Sequence, residues 1–473
     1  MAYFIIACRV RCDREKFPFG TTYGRGYLFP VMPPLVPLSQ FKSGRLWVLS
    51  LCASILSGKT GHAQTIAYEE SPHFYFSAPL KDLASTLDAD LQSGRFHWPE
   101  GSDLGAVRAV LAHLKIPESS QTLVFSKTSV QKDRITPANP RAVYYNDECY
   151  AAWVPGGLME IASIDPVLGP IFYVLDFHRP DRSAPRLDRP QSCLDCHGGN
   201  MTNRVPGVMI RSVFPDSDGS VLFQAGTSLI DHASPISIRW GGWYVSGRHG
   251  AMNHRGNAIA TVGHDGKVSL DGAQGANRES LTRFFPVHHY PQPGSDIVAL
   301  MVLEHQVMMQ SRLTEASYDV RAAILQQAAL RRELGEAPTG SLTGTASIVA
   351  RSHAGKILEV LLFKDEAEFP EAGIQGDPAF QHNFRKGRPA TPEGKSLADL
   401  HLGNRLFRHR CSYLIHSRQW AALPPPLLDL IYDKLREILT AENPPEEYRY
   451  LSAPERQSIL EILRATDPRF GPS

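Results

Sequence analysis

No charge of either sign dominates this chain: 49 Lys and Arg stand against 48 Asp and Glu in 473 residues, a net charge of +1. Nucleic acid and anionic membrane surfaces call for a basic excess, so neither is an implied partner. Long hydrophobic runs are also scarce, and beyond residue 63 none approaches the ~20 residues of a membrane-spanning helix. Cysteine is sparse, with 7 in the whole chain. There is no second C-x-x-C, so a zinc site would need remote ligands. A Gly-rich phosphate loop, a nucleophile elbow and an H-E-x-x-H pair are all absent, and there are no internal repeats.

One dense feature stands out against these absences: Cys193-Leu194-Asp195-Cys196-His197. C-x-x-C-H is the attachment sequence of a c-type haem. Two thiols at this spacing can add to the two vinyl groups of one porphyrin, and the adjacent imidazole then ligates the iron. The flanks suit that role, with a polar loop over 186–192 and a flexible Gly198-Gly199-Asn200 exit. Three other readings stand beside it: half of a zinc site, a thioredoxin-type redox pair and a plain disulfide. No βαβ pattern leads into the motif, which weighs against the redox pair.

The N-terminal region points the same way. Basic residues Lys42 and Arg45 precede an apolar run, Leu46 to Leu56, and Gly61-His62-Ala63 fits a small-x-small cleavage site. A signal peptide is expected over 42–63, with cleavage between Ala63 and Gln64 and a periplasmic or otherwise exported mature chain. Such a signal is oddly internal, so residues 1–31 read as upstream sequence and Met32 as the better start. Covalent haem attachment of this kind occurs outside the cytoplasm, so the two signals corroborate each other. Cys149 and Cys411 then remain as an even pair in an oxidising compartment, a candidate disulfide.

The pattern of elements implies an α+β fold: a mixed, mainly antiparallel sheet interrupted by the haem loop, a long helix, and a helical C-terminal region. The expected segments are 1–63, upstream sequence and signal; 64–290, the haem-binding region; 291–395, long helix and connector; and 396–473, helical. Helices are expected over 80–93, over 104–114 with Asp103 as a possible cap, and over 296–334 with Gly335 closing the last. Strands are expected over 122–125, 141–145, 149–154, 158–164 and 171–177, with a hairpin joining 207–214 to 220–224. The stretch 335–395 reads as a connector with one strand or helix at 357–363. Pro424-Pro425-Pro426 and the Ser452-Ala453-Pro454-Glu455 capping box open the last two helices.

Several blocks carry a resemblance. They include 123–129, 139–147, the C-x-x-C-H loop, Gly241-Gly242-Trp243-Tyr244-Val245-Ser246-Gly247, 302–306, 405–407 and 411–414. Together they resemble a family of large exported mono-haem c-type cytochromes, most of them bacterial. The resemblance covers most of the mature chain and implies one covalent haem c in an extracytoplasmic setting, without fixing an activity.

The distal iron ligand decides between electron transfer and ligand chemistry. His254 and His305 are the leading candidates, and His249 and His232 the weaker ones. His249 and His254 share a Gly-rich loop; His305 sits on an apolar helix face that needs a polar partner. A bis-His haem is the expectation, and an electron carrier with a redox partner protein is the leading function. The rival is a haem enzyme or a haem-based sensor, because the mature chain of about 410 residues far exceeds what a minimal carrier needs.

Overall fold

The computed structural model describes residues 67–97, 99, 101–178, 186–272, 275–369 and 372–471. The expected signal peptide, its cleavage site and the start at Met32 lie outside them. Gln64–Ser473 make one compact unit.

The first helices are α1 (Leu83–Gln92) and α2 (Asp103–His113). Asp82 caps α1 by accepting from the amides of Ala84 and Ser85. Ser102, not Asp103, caps α2, because its hydroxyl accepts from Gly105 N. Strands β1 (Thr122–Val124), β2 (Arg141–Tyr145), β3 (Cys149–Trp153), β4 (Met159–Asp165) and β5 (Gly169–Leu175) follow as a meander. The chain then leaves the sheet, forms α3 (Cys193–His197), makes the short pair β6 (Arg211–Ser212) and β7 (Ser228–Leu229), and returns as β8 (Trp243–Tyr244). In space the order is β5-β4-β3-β2-β1-β8, antiparallel throughout. The fold is therefore α+β, and the C-x-x-C-H segment does lie between two strands of one sheet. The expected hairpin survives as a turn at Asp216–Gly219 with one bridge, Pro215 to Val221; Ser212 pairs instead with Ser228. A further pair, β9 (Ala260–Val262) and β10 (Val268–Leu270), lies outside the main sheet.

Alternation along the strands makes two faces. Ala142, Tyr144, Ala151, Trp153, Ile171 and Leu175 bury one face in a core shared with α1 and α2. Tyr145 and Tyr150, on the other face, join the core built on α4 (Ile297–Glu333). Asp296 caps α4 by accepting from Ala299 N, and Gly335, at φ +68°, turns the chain just after it.

The segments 64–290, 291–395 and 396–473 share this second core, which runs from Val124 through α4 to Phe470. The expected connector carries two helices, α5 (Gly344–Leu361) and α6 (Pro378–Arg385). The buried side of α5 carries Ala346, Ala350, Ala354, Ile357, Leu358 and Leu361, so its first half has the spacing of a helix but little apolar bulk. A short turn, α7 (Arg418–Ala421), precedes α8 (Pro425–Thr440) and α9 (Ala453–Thr466). The Ser452 hydroxyl caps α9, but the Glu455 carboxylate binds Arg410 rather than closing the box. Among the described residues no helix is long and apolar enough to cross a membrane.

Candidate functional site

The site begins with helical spacing. Residues i, i+3 and i+4 share a helix face, so the single turn of α3 puts Cys193, Cys196 and His197 on one side. Leu194 points the other way into the first core and anchors the turn. Three backbone hydrogen bonds start it, Cys193 N to Pro190 O, Leu194 N to Gln191 O and Asp195 N to Ser192 O. Gly198 ends it against Tyr68, where an added Cβ would stand 3.0 Å from the ring edge.

His197 Nδ1 lies 2.9 Å from Gly207 O, and Gly207 N donates back to His197 O at 2.8 Å. A carbonyl can only accept, so Nδ1 carries the proton and Nε2 keeps its lone pair, the tautomer a metal-binding histidine requires. Burial pushes the His197 pKa down, which keeps the ring neutral. The Cys193 thiol is half-buried with a raised pKa, owing to burial and then to Glu160 and Asp195; Cys196 is exposed.

Cys193, Cys196 and His197 all face a cavity of about 550 Å³. Its floor is the second face of the sheet. Two cross-strand rows form it: Val143, Ala152, Glu160 and Val174, then Tyr150, Ala162 and Phe172. Leu303 and Val307 of α4 and Trp243 of β8 close the inner side. The Phe172 ring packs against His197, with centroids 4.6 Å apart. Val143, Glu160, Ala162 and Val174 are only half-buried, so a stripe of the sheet in the middle of the protein lacks a full protein cover.

The lining fits the group that C-x-x-C-H implies. It is mainly apolar, as a porphyrin requires. Its charged members are Lys132, Arg141, Arg211 and Glu160, a surplus of two cations. Glu160 is fully engaged by Arg141 Nη1 at 2.6 Å, Ser129 Oγ at 2.5 Å and Gln131 Nε2 at 2.8 Å. These partners hold its pKa low against the effect of burial. Arg141 Nε is buried with no hydrogen-bond partner. An apolar slot with an orphaned guanidinium donor and two unmatched positive charges suits a flat macrocycle bearing two carboxylates. Cys193 and Cys196 would hold it, His197 would ligate its iron, and the group would supply one-electron redox chemistry.

The four candidate distal histidines lie elsewhere. None lines this cavity. His254 and His249 bind each other, Nε2 to Nε2, at 3.1 Å. Backbone amides fix both tautomers: Gly256 N donates to His254 Nδ1, and Asn277 N to His249 Nε2. His254 Nε2 must then be the donor between the rings, and neither ring is free to turn a lone pair toward iron. His305 and His232 form a second pair, Nδ1 to Nδ1, at 3.3 Å, and His305 Nε2 meets Ser412 Oγ at 2.7 Å. The apolar face that demanded a partner for His305 finds it inside the protein. The acidic neighbours of these histidines in sequence, Asp231 and Glu304, are engaged elsewhere. Glu304 accepts from Arg239 at 2.8 Å and Trp240 at 2.6 Å, and Asp231 caps its own turn through Ala233 and Ser234. Burial still pushes the Glu304 carboxyl up to about 7.

Cys149 and Cys411 do not form the candidate disulfide. Both thiols are free and buried, Cys149 in the core beneath α1 and α2 and Cys411 in the core around α4. Sequence reasoning did not find Arg141, Glu160 or Arg211. The available signal was a charged residue at the inward period of two otherwise apolar strands.

No protein-family model, curated protein or solved structure matches the chain.

Proposed function

We propose that this chain is an exported c-type cytochrome. It carries one haem bound covalently through Cys193 and Cys196, ligated by His197, and passes electrons to a redox partner protein. The observation that carries the reading is the coincidence of three features at one place. The two thiols share the wall of an apolar, cation-rich cavity with an imidazole whose Nδ1 proton is fixed by Gly207 O. A structural disulfide or a redox dithiol needs no such cavity. The exposed Cys196 supports electron transfer, since the macrocycle edge bonded to it would lie within reach of a partner at the surface. The test is expression with the haem-attachment machinery, followed by intact mass and a pyridine haemochrome spectrum. Covalent haem with a c-type α-band is expected, and the Cys193→Ser, Cys196→Ser double variant should lose it. A wild-type protein without that band overturns the reading.

A second reading, a haem-based sensor or enzyme with an exchangeable iron site, is favoured by one observation: the cavity wall contains none of the four histidines expected to complete the coordination.

A further inference from the structure

Given covalent haem at this site, the cavity lining decides what the sixth coordination position receives. A side-chain ligand needs a free lone pair at the wall. Among the described residues His197 is the sole imidazole there. The carboxylate and phenol oxygens of the wall are taken. Glu160 has its three partners, Tyr150 OH donates to Gln310 Oε1 and accepts from Gln306 Nε2, and Tyr173 OH donates to Asp82 at 2.9 Å. Lys132 is exposed at the mouth.

Two thioethers remain, Met201 and Met209, and both lie on the strap that carries His197. Met201 follows that histidine by four residues, in the tight turn Asn200–Thr202. Met209 stands two residues beyond Gly207, whose carbonyl is tied to the His197 ring. To reach the position opposite His197, either would have to pass around the rim of the macrocycle. The wall that the sheet and α4 supply, Val143, Ala152, Ala162, Val174, Leu303 and Val307, offers no donor at all. Ala152 and Ala162 are diagonal neighbours on adjacent strands, so two of the smallest side chains meet in the middle of that wall.

We infer that the described residues supply no second axial ligand and instead shape an apolar hollow over Ala152 and Ala162 for a small neutral diatomic molecule: carbon monoxide, nitric oxide or dioxygen. The inference rests on the covalent-haem reading and, within it, takes the side of the exchangeable iron site over electron transfer. Its ligand class follows from those six wall residues, whose side chains carry no hydrogen-bonding group, while the cations of the cavity, Lys132, Arg141 and Arg211, are the ones matched above to the carboxylates of the macrocycle.

The experiment uses the full chain with haem attached, verified by mass. Absorption spectra are taken in the ferric state and in the ferrous state with and without carbon monoxide. The expected result is a high-spin spectrum and ready binding of carbon monoxide. Ala162→Phe should fill the hollow and weaken that binding at least tenfold while leaving the haem mass unchanged. Ala152→Val serves the same purpose with a smaller change if the larger side chain prevents accumulation. A low-spin spectrum that carbon monoxide does not alter overturns the inference, as does wild-type affinity in both filled variants. Absence of covalent haem by mass is a separate outcome and overturns the reading beneath it.

Discussion

His305→Ala separates a structural histidine from a ligating one. The His305 ring is fully buried, stacked on Phe363 with centroids 4.0 Å apart, and bonded to Ser412 at 2.7 Å and His232 at 3.3 Å. Burial holds its pKa well below the usual histidine value, so the ring is neutral and its worth is packing plus two hydrogen bonds. Truncation leaves two buried polar partners unsatisfied, at about 1–3 kcal/mol each. It also leaves a ring-sized cavity, of the kind that costs about 2–5 kcal/mol for large-to-small changes. Partial relaxation and water entry reduce the sum, and we expect a loss of about 4 kcal/mol. Urea denaturation measures it, and Ser412→Ala, together with the double variant, apportions the hydrogen bond. The haem absorption spectrum of the folded variant should match that of wild type. A spin-state change with stability intact would refute the reasoning, because it would make His305 an iron ligand.

His73, stacked on Tyr318, has its pKa lowered to about 4, chiefly by burial. The unfolded chain takes up this proton near pH 6.5 and the folded chain only near 4. Its contribution is therefore complete above pH 6.5 and lost as pH falls toward 4. Wild type should lose about 1–3 kcal/mol relative to His73→Phe over that window, measured by denaturation at each pH; parallel curves would contradict it. Gly241→Ala should be severe, because its Cβ would stand 2.1 Å from Val213 O, a backbone atom. A loss of about 3 kcal/mol or more, or failure to accumulate, is expected. Glu304→Gln leaves Arg239 buried without its carboxylate and should cost about 3–5 kcal/mol in the same assay.

The sequence made the local parts of this protein legible. C-x-x-C-H fixes its own geometry through helical spacing, and α4 appears because Asp296 and Gly335 mark its ends. The meander appears because Arg141 to Leu175 alternate at a period of two between clear turns. What stayed hidden depends on register or on partners. Arg141 reaches Glu160 across an intervening strand, a relation set by how β2, β3 and β4 align and visible in none of them alone. The histidines misled for a related reason: a sequence shows that His305 needs a partner but not that Ser412, more than a hundred residues on, supplies one. Only the end of α5, at 357–361, was legible as a strand or helix, because alanine fills the buried side of its first half.

The placement of α3 bears on the order in which the chain folds. Strands β2 to β5 are joined by connections of three to five residues and can zip together as successive hairpins, a set of local and rapid contacts. The last strand is different: Tyr244 pairs with Leu123, so closing that edge waits on a long loop whose middle carries Cys193 and Cys196. Until it closes, Trp243 and the 201–211 segment have no place to pack, and the thiols remain accessible on a flexible span. If the chain carries haem as proposed, that late contact gives an interval in which the two thiols can still be reached, before β8 completes the sheet.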